Sequence, residues 1–527
     1  MGMLDYAWLG IVKVFTENPM FWLADMPVST TVAMVFFGFL GGIVVGATPG
    51  LGGPFAMAIS LPILISIFGV TPDALLPVMG FLVGVMKGAT IGGAVPAILF
   101  NTPGTPDSMM TTLDGYPMTR KGQSGKALRV AHFSSVSGDT FSDIVLITCA
   151  PFLAVVVEAY LGFTEKAALI ILSLSFIAAV VGRSVAKGLL SAILGMFCAS
   201  VASGEDNHPR LSFGLDELAS GFPIISAVLG VLILGEIFVA LDDMWQEKRR
   251  TAAIAQLQVK GDNKLRWGDI KKIAPFIGTS AMIGTAIGAL PGIGSTLAAT
   301  LGYATGRRLH KGETPFGEGT PEGVAATEAA NSAVAGANLI PVLSLGIPGN
   351  IAAVFLILAA ESIGGFNPGP AVFRIPNTGI NPELVVAFGL FTAMMFANLL
   401  NWTIGGVFMR ATGIMVRIPK QTLLPIVLLL TLTAVYVQEA KMIAVVFLLA
   451  FGFLGYVLRR LDVSTLPFVI AFILANNLET ALRQAFSGSG GDPWFMLKSP
   501  LALVFIVMAL GVVVFFSSGR KQAGGGK

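Results

Sequence analysis

Four short stretches of this chain set prolines among glycines and small polar residues, a mix that can bind a ligand through the backbone. The first runs from Gly46 to Gly53, reads G-A-T-P-G-L-G-G, and offers Thr48, Pro49, Gly50 and Gly52. The second runs from Val95 to Thr105, reads V-P-A-I-L-F-N-T-P-G-T, and ends on Asn101, Thr102, Pro103, Gly104 and Thr105. The third, G-A-L-P-G-I-G from Gly288 to Gly294, brings Pro291, Gly292 and Gly294, with Ser295 next. The fourth, I-P-V-L-S-L-G-I-P-G-N from Ile340 to Asn350, brings Ser344, Gly346, Pro348, Gly349 and Asn350. Proline removes a backbone donor and glycine frees the chain, so a helix should break at each. A helix that restarts after the break presents free N–H groups and about half a positive charge. That end suits a carboxylate without needing an arginine. A helix that stops there presents free carbonyls, which suit a small cation. These residues are therefore the expected substrate-binding set.

The spacing of the four is informative. Pro49 and Pro291 are 242 positions apart; Pro96 and Pro341, like Pro103 and Pro348, are 245 apart. Two ordered motifs at nearly one offset predict an internal duplication. Taken singly, each motif could be a kink or a tight packing site. Paired breaks inside lipid are costly unless they line a cavity. Matching breaks in two halves of a membrane protein point to a transport site.

The elements that position them must be apolar helices. Of 527 residues, 54% are hydrophobic and 12% charged, and the mean hydropathy is +0.80. Soluble domains carry about 25% charged residues. The apolar runs are long and continuous, which excludes a β-barrel pattern. The expected fold class is an all-α polytopic membrane protein with two inverted-topology repeats, re-entrant hairpins and broken helices. The net charge of +3 gives no sign of a nucleic-acid partner. Cys149 and Cys198 both sit in apolar runs and read as buried small hydrophobes. Residues 1–27 read as an interfacial segment, 28–241 as the first repeat, and 242–272 as a basic connector with eight Lys or Arg. Residues 273–482 read as the second repeat, and 483–527 as a last span with a basic tail.

Charge asymmetry suggests orientation. Lysine and arginine collect in cytoplasmic loops. Lys271 and Lys272 precede the third motif, and Arg307, Arg308 and Lys311 follow it, so that hairpin should open to the cytoplasm. The first motif is flanked by Asp25 and Asp73 with no basic residue, so it should open outward. The loop from Arg120 to Arg129 is basic, whereas Phe366 to Glu383 carries only Arg374. Opposite patterns at corresponding places are what an inverted repeat predicts.

Ionisable groups inside apolar runs are functional by default. Lys87, Glu158, Glu236, Glu328, Glu361 and Glu479 qualify. Glu236, Glu361 and Glu479 could lie at span ends, where charge is cheap. Lys87 could attract an anion or snorkel. Glu328, with Asn331 and Asn338 near one helical face, is the expected ion-coupling group. No catalytic set or metal spacing stands out, since His132, His208 and His310 are scattered. No Walker sequence occurs, so nothing suggests an ATP motor.

Several long motifs in order resemble one known family. G-A-T-P-G-L-G-G-P-F-A, G-G-A-V-P-A-I-L-F-N-T-P-G-T-P, D-G-Y-P-M, A-L-P-G-I-G-S-T-L-A and G-T-P-E-G-V-A-A-T-E-A-A-N-S-A-V look like the large membrane subunit, TctA type, of bacterial tripartite tricarboxylate transporters. The resemblance spans roughly Val28 to Phe516. It implies a secondary transporter, a symporter of organic carboxylates in the bacterial inner membrane, and not an enzyme. It also implies two partners, a small membrane subunit and a periplasmic solute-binding protein that delivers the small carboxylate substrate. No cofactor is implied; the coupling ion is Na+ or H+. By analogy with other transporters built from hairpins, an elevator form of alternating access is expected. An anion channel and an intramembrane enzyme are the alternatives.

Overall fold

The computed structural model describes residues 2–23, 26–48, 52–181, 184–202, 210–212, 214–246, 263–412 and 420–524. Helix α1 (Met3–Thr16) leads into a two-stranded antiparallel hairpin, Pro19–Leu23 with Met26–Ser29. Then follow α2 (Thr30–Gly46), α3 (Gly53–Phe68), α4 (Pro72–Phe100), a 3-10 turn (Pro106–Met109), α5 (Thr112–Arg120), α6 (Ser124–Tyr160), α7 (Phe163–Val181) and α8 (Val185–Ala199). Helix α9 (Ile224–Met244) contains a π turn at Gly230–Leu234. The chain continues as α10 (Trp267–Gly288), α11 (Gly294–Leu309), α12 (Pro321–Ala337), α13 (Leu339–Leu345) and α14 (Ile351–Ile363). Helix α15 (Pro382–Ala411) holds a second π turn, Asn401–Gly405. The last helices are α16 (Lys420–Glu439), α17 (Met442–Arg460), α18 (Leu466–Gly488) and α19 (Pro500–Gly524).

Among the described residues, eight helices are long and apolar enough to cross a membrane, and five shorter apolar helices accompany them. The protein is an all-α polytopic membrane protein. Over its apolar span helix α4 is 89% buried, packed among neighbouring helices on most sides. Helix α19 is only 11% buried over its span and offers its apolar surface to lipid.

The chain divides into two compact units, and neither is one half of the sequence. One comprises residues 1–155 and 251–420; the other comprises 156–250 and 421–527. Each sequence half gives its first part to one unit and its remainder to the other.

Within the first unit, glycines let helices meet at the backbone. A Cβ added at Gly38, Gly42 or Gly46 of α2 would fall 2.2, 2.4 or 2.2 Å from the carbonyl oxygens of Phe81, Val85 and Ala89 on α4. Helix α4 answers with Gly84, Gly88 and Gly92, set as closely against Val35, Phe39 and Ile43. The two helices run parallel, with α3 returning between them in sequence. The second half repeats the device: Gly284 of α10 faces the Ala330 carbonyl of α12, and Gly288 faces Val334. Small residues permit this approach, and in lipid such packing replaces the hydrophobic drive that water supplies elsewhere.

The second unit has its own lock. Its π turn frees backbone carbonyls, and the Arg459 guanidinium donates to those of Val231 (2.6 Å) and Leu232 (2.9 Å). Arg459 also pairs with Glu236 at 2.9 Å.

Asn338 separates α12 from α13. Two expectations change. Helix α6 begins at Ser124, inside the stretch Arg120 to Arg129 read as a basic loop. Cys149 is exposed and Cys198 is half-buried, both free, because their helix faces turn away from the protein core. Asp25, His208 and most of the basic connector lie outside the described residues.

Gly88→Val should lower the folded yield and the melting temperature in detergent, since its Cβ would sit 2.1 Å from the Phe39 carbonyl oxygen. Overpacking of this kind costs about 1–3 kcal/mol. Gly278→Ala on α10, where nothing lies within 4 Å, should melt like the wild type.

Candidate functional site

Each Pro-Gly stretch is a helix break. Helix α4 ends on Asn101 in the left-handed region (φ 55°, ψ 28°), and α13 ends on Gly346 in the same region (φ 72°, ψ 22°). The next amide closes the turn in both copies: Thr102 N–H donates to the Pro96 carbonyl and Ile347 N–H to the Pro341 carbonyl, each at 3.2 Å. This is a Schellman-type end, which needs a residue tolerant of positive φ. Asparagine and glycine are the usual choices. Pro103-Gly104 and Pro348-Gly349 then turn the chain. Thr105 precedes the 3-10 turn, and Asn350 caps α14 by accepting from the Ala353 N–H at 2.9 Å. The paired spacing in sequence is thus matched by paired backbone geometry.

The breaks meet within each copy. The Gly292 N–H donates to the Gly349 carbonyl at 2.8 Å. In the first copy, a Cβ on Gly104 would strike the Gly46 carbonyl oxygen (2.3 Å) and the Cα of Gly93 (2.9 Å). The copies also meet each other: the Thr296 hydroxyl on α11 donates to Asp107 in the 3-10 turn at 2.7 Å. Pro49 and Gly50 lie outside the described residues, so the first tip is defined by Thr48 and Gly52. Several site hydroxyls bond to their own helix, Thr48 to Val44 at 3.0 Å and Ser344 to Ile340 at 2.5 Å. Asn101 and Thr102 are exposed.

Glu328 is fully buried on α12. Its carboxylate accepts from the Thr111 hydroxyl and from the Ser135 hydroxyl (2.8 Å), and no described ion pair includes it. Asn331 and Asn338 are buried too but do not bond to it. Among the described residues the Asn331 Nδ2 has no partner, and neither amide atom of Asn338 has one. Asn338 stands beside the fourth break, since a Cβ on Gly349 would lie 3.0 Å from its Oδ1. An unpartnered amide at a break is a ready group for a polar ligand.

Two parts of the site were not read from the sequence. The first is Asp114. Its Oδ1 accepts from the N–H groups of Gly317 (3.0 Å), Gly319 (2.8 Å) and Thr320 (2.8 Å), and its Oδ2 from the Tyr303 hydroxyl (2.9 Å). It fastens the loop ahead of α12 to α5. The second surrounds Lys87, whose ammonium neither snorkels nor waits for an anion. It donates to Asp139 (2.7 Å), Asp143 (2.7 Å) and Asn398 (3.2 Å), all buried. Asp139 and Asp143 are four residues apart, one face of a helix, and lie beyond the stretch Arg120 to Arg129 read as a basic loop. Elsewhere, Glu479 pairs with Arg210 and Arg483, and a cavity of about 190 Å³ lined by Arg129, His132 and Arg410 lies away from the breaks. No metal-ligand cluster occurs among the described residues.

The comparisons with known proteins bear on this geometry. The model of the tripartite tricarboxylate transporter TctA family matches residues 32–470, which hold all four breaks. The chain belongs to that family. A protein of Agrobacterium vitis named "Uncharacterized 52.8 kDa protein in TAR-I ttuC' 3'region" is 31% identical over 490 residues, 92% of each chain. A second from the same organism, "Uncharacterized protein in TAR-II ttuC' 3'region", is 32% identical over 235 residues, 44% of this chain and 92% of its own length. No solved structure is significantly similar. Family membership makes this chain a membrane component of a transporter with other subunits, and not an enzyme.

Asp114→Ala would strand four donors. It should lower stability by about 3 kcal/mol and expose the loop between α11 and α12 to protease. Tyr303→Phe, which removes one donor, should cost about 1 kcal/mol.

Proposed function

We propose that this protein is the ion-gradient-driven secondary transporter of its system, importing a di- or tricarboxylate across the bacterial inner membrane. A periplasmic solute-binding protein delivers the substrate, and a small membrane subunit completes the complex. The observation that carries this is the repeated break: a left-handed residue, a closing N–H to a proline carbonyl, Pro-Gly, and a new helix start, at matching places in both halves. Arrangements of this kind hold anionic substrates on helix N-termini and small cations on freed carbonyls. The opposite charge patterns around the two halves support inverted topology, and with it access from both sides.

The substrate carboxylates are assigned to the tips built from Thr48, Gly52, Asn101–Thr105, Pro291, Gly292, Gly294, Ser295, Ser344, Gly346 and Pro348–Asn350. Pro49 and Gly50 complete the set by sequence. Asn338 adds a buried amide beside the fourth tip. Glu328, with Asn331 and Asn338, is assigned to coupling with Na+ or H+. It is a buried carboxylate held by two hydroxyls and no cation, so the gain of a positive charge relieves it. In the elevator form of alternating access, the moving element is the first unit, which carries all four breaks.

The test is uptake of labelled di- and tricarboxylates into proteoliposomes holding the full complex. Accumulation that needs the binding protein and one imposed gradient is expected. Flux that only equilibrates would make it a channel, and an altered product would make it an enzyme. Asn101→Gly keeps the left-handed backbone and removes the side chain; uptake should fall about tenfold, the loss of one good hydrogen bond. Uptake at the wild-type rate would remove Asn101 from the substrate set. Asn350→Ala should lower uptake similarly while the protein stays folded.

A further inference from the structure

The Lys87 cluster holds more negative than positive charge. Lys87 is 1% exposed, Asp139 3% and Asp143 fully buried. An ammonium has three donors and no acceptor. All three are spent, on Asp139 Oδ1, Asp143 Oδ2 and Asn398 Oδ1. Asn398 turns its amide to the same Asp143 oxygen, its Nδ2 donating to Oδ2 at 2.7 Å. Asp143 Oδ2 therefore accepts twice, whereas Asp143 Oδ1 is buried with no donor among the described residues. One cation faces two carboxylates, and among the described residues nothing satisfies Asp143 Oδ1. Buried charge without a partner is strongly disfavoured.

That oxygen points at α12. A Cβ on Gly336 would lie 2.2 Å from Asp143 Oδ1, so only a glycine leaves room for it. Glu328, Ser332 and Gly336 are spaced four apart and share one face of α12. Ser135, Asp139 and Asp143 share one face of α6 in the same way. The faces meet in parallel: Ser135 bonds Glu328 at 2.8 Å, Gly138 sits against the Ala329 carbonyl, and Asp143 reaches Gly336. Between them, the Ser332 hydroxyl is 1% exposed and unpartnered.

We propose that Asp143, anchored by Lys87 at one oxygen and open at the other, takes up and releases a proton during the transport cycle. This rests on the reading of the protein as a gradient-driven transporter and names a coupling position beyond Glu328. The proton adds to Oδ1 and converts the carboxylate to the acid. The cluster then passes from one net negative charge to none. A sodium ion fits less well. It would be a second cation centre on a carboxylate already shared with an ammonium, and it would need several oxygen ligands. The groups facing Asp143 are few. Lys87 comes from α4, Asp139 from α6 itself and Asn398 from α15, while α12 brings Glu328 two turns away.

The test uses the full chain with its partner subunits in proteoliposomes. In Asp143→Asn, accumulation under an inward proton gradient should fall about tenfold or more, and substrate-linked alkalinisation of the medium should disappear. The residual substrate exchange should no longer vary with pH across the neutral range, and Asp143→Glu should restore part of that dependence. Infrared difference spectra of the purified complex supply a readout that needs no transport. A protonated-carboxyl band that titrates in the wild type should be missing from folded Asp143→Asn. If wild-type vesicles move no carboxylate, the transport reading fails, and the infrared band alone decides for or against Asp143. An unchanged band, retained proton uptake in Asp143→Asn, or wild-type accumulation driven by sodium alone would overturn the proposal.

Discussion

A peptide group freed from a helix inside an apolar layer must be bonded by the protein itself, because no water is there to do it. The first unit is organised around that constraint. Its broken helices close their ends on proline carbonyls, Thr102 on Pro96 and Ile347 on Pro341. They then borrow donors and acceptors from the neighbouring break, as Gly292 does from Gly349. Such borrowing requires backbones to touch. The glycine faces of α2, α4 and α10 allow it, each turn of one helix resting on a carbonyl of the next. The breaks and the glycine contacts are therefore one device, and neither would persist without the other.

Close packing of this kind also excludes water from the charges. The buried acids have three different solutions. Asp114 is surrounded by backbone N–H groups and one phenol, a charge-assisted set that holds a loop rather than a ligand. Glu328 receives two hydroxyls. Asp139 and Asp143 divide one ammonium. The first solution is complete and structural. The other two leave negative charge in a dry seam, which is the condition under which a transporter can gain from binding a cation. Both of these acids lie along the same buried contact between α6 and α12.

Much of this was legible in the residues. The four breaks were read from Pro-Gly inside apolar runs, and their pairing from two nearly equal offsets. Glu328 stood out as a carboxylate in an alanine-rich stretch. The misreadings have a common cause. Lys87 was visible, but its partners sit 52 and 56 residues later on a helix whose first turns look like a polar loop. A stretch with Lys126, Arg129, Asp139 and Asp143 has no apolar signal, because one of its faces is buried against other polar groups. Asp114 was likewise hidden: nothing in D-G-Y-P says that the carboxylate will cap a loop two hundred residues away.

By itself, the sequence determined the class of the protein and the places where its helices break. These follow from local physics, since apolar length, missing donors and permissive φ angles are properties of neighbouring residues. The tertiary structure alone decided which charges are paired, which are left over, and how both sequence halves contribute to each compact unit. Those outcomes depend on distances between residues far apart in the chain. A buried carboxylate with a lysine on one oxygen and nothing on the other has the same local sequence as one that is fully paired. Only packing separates them.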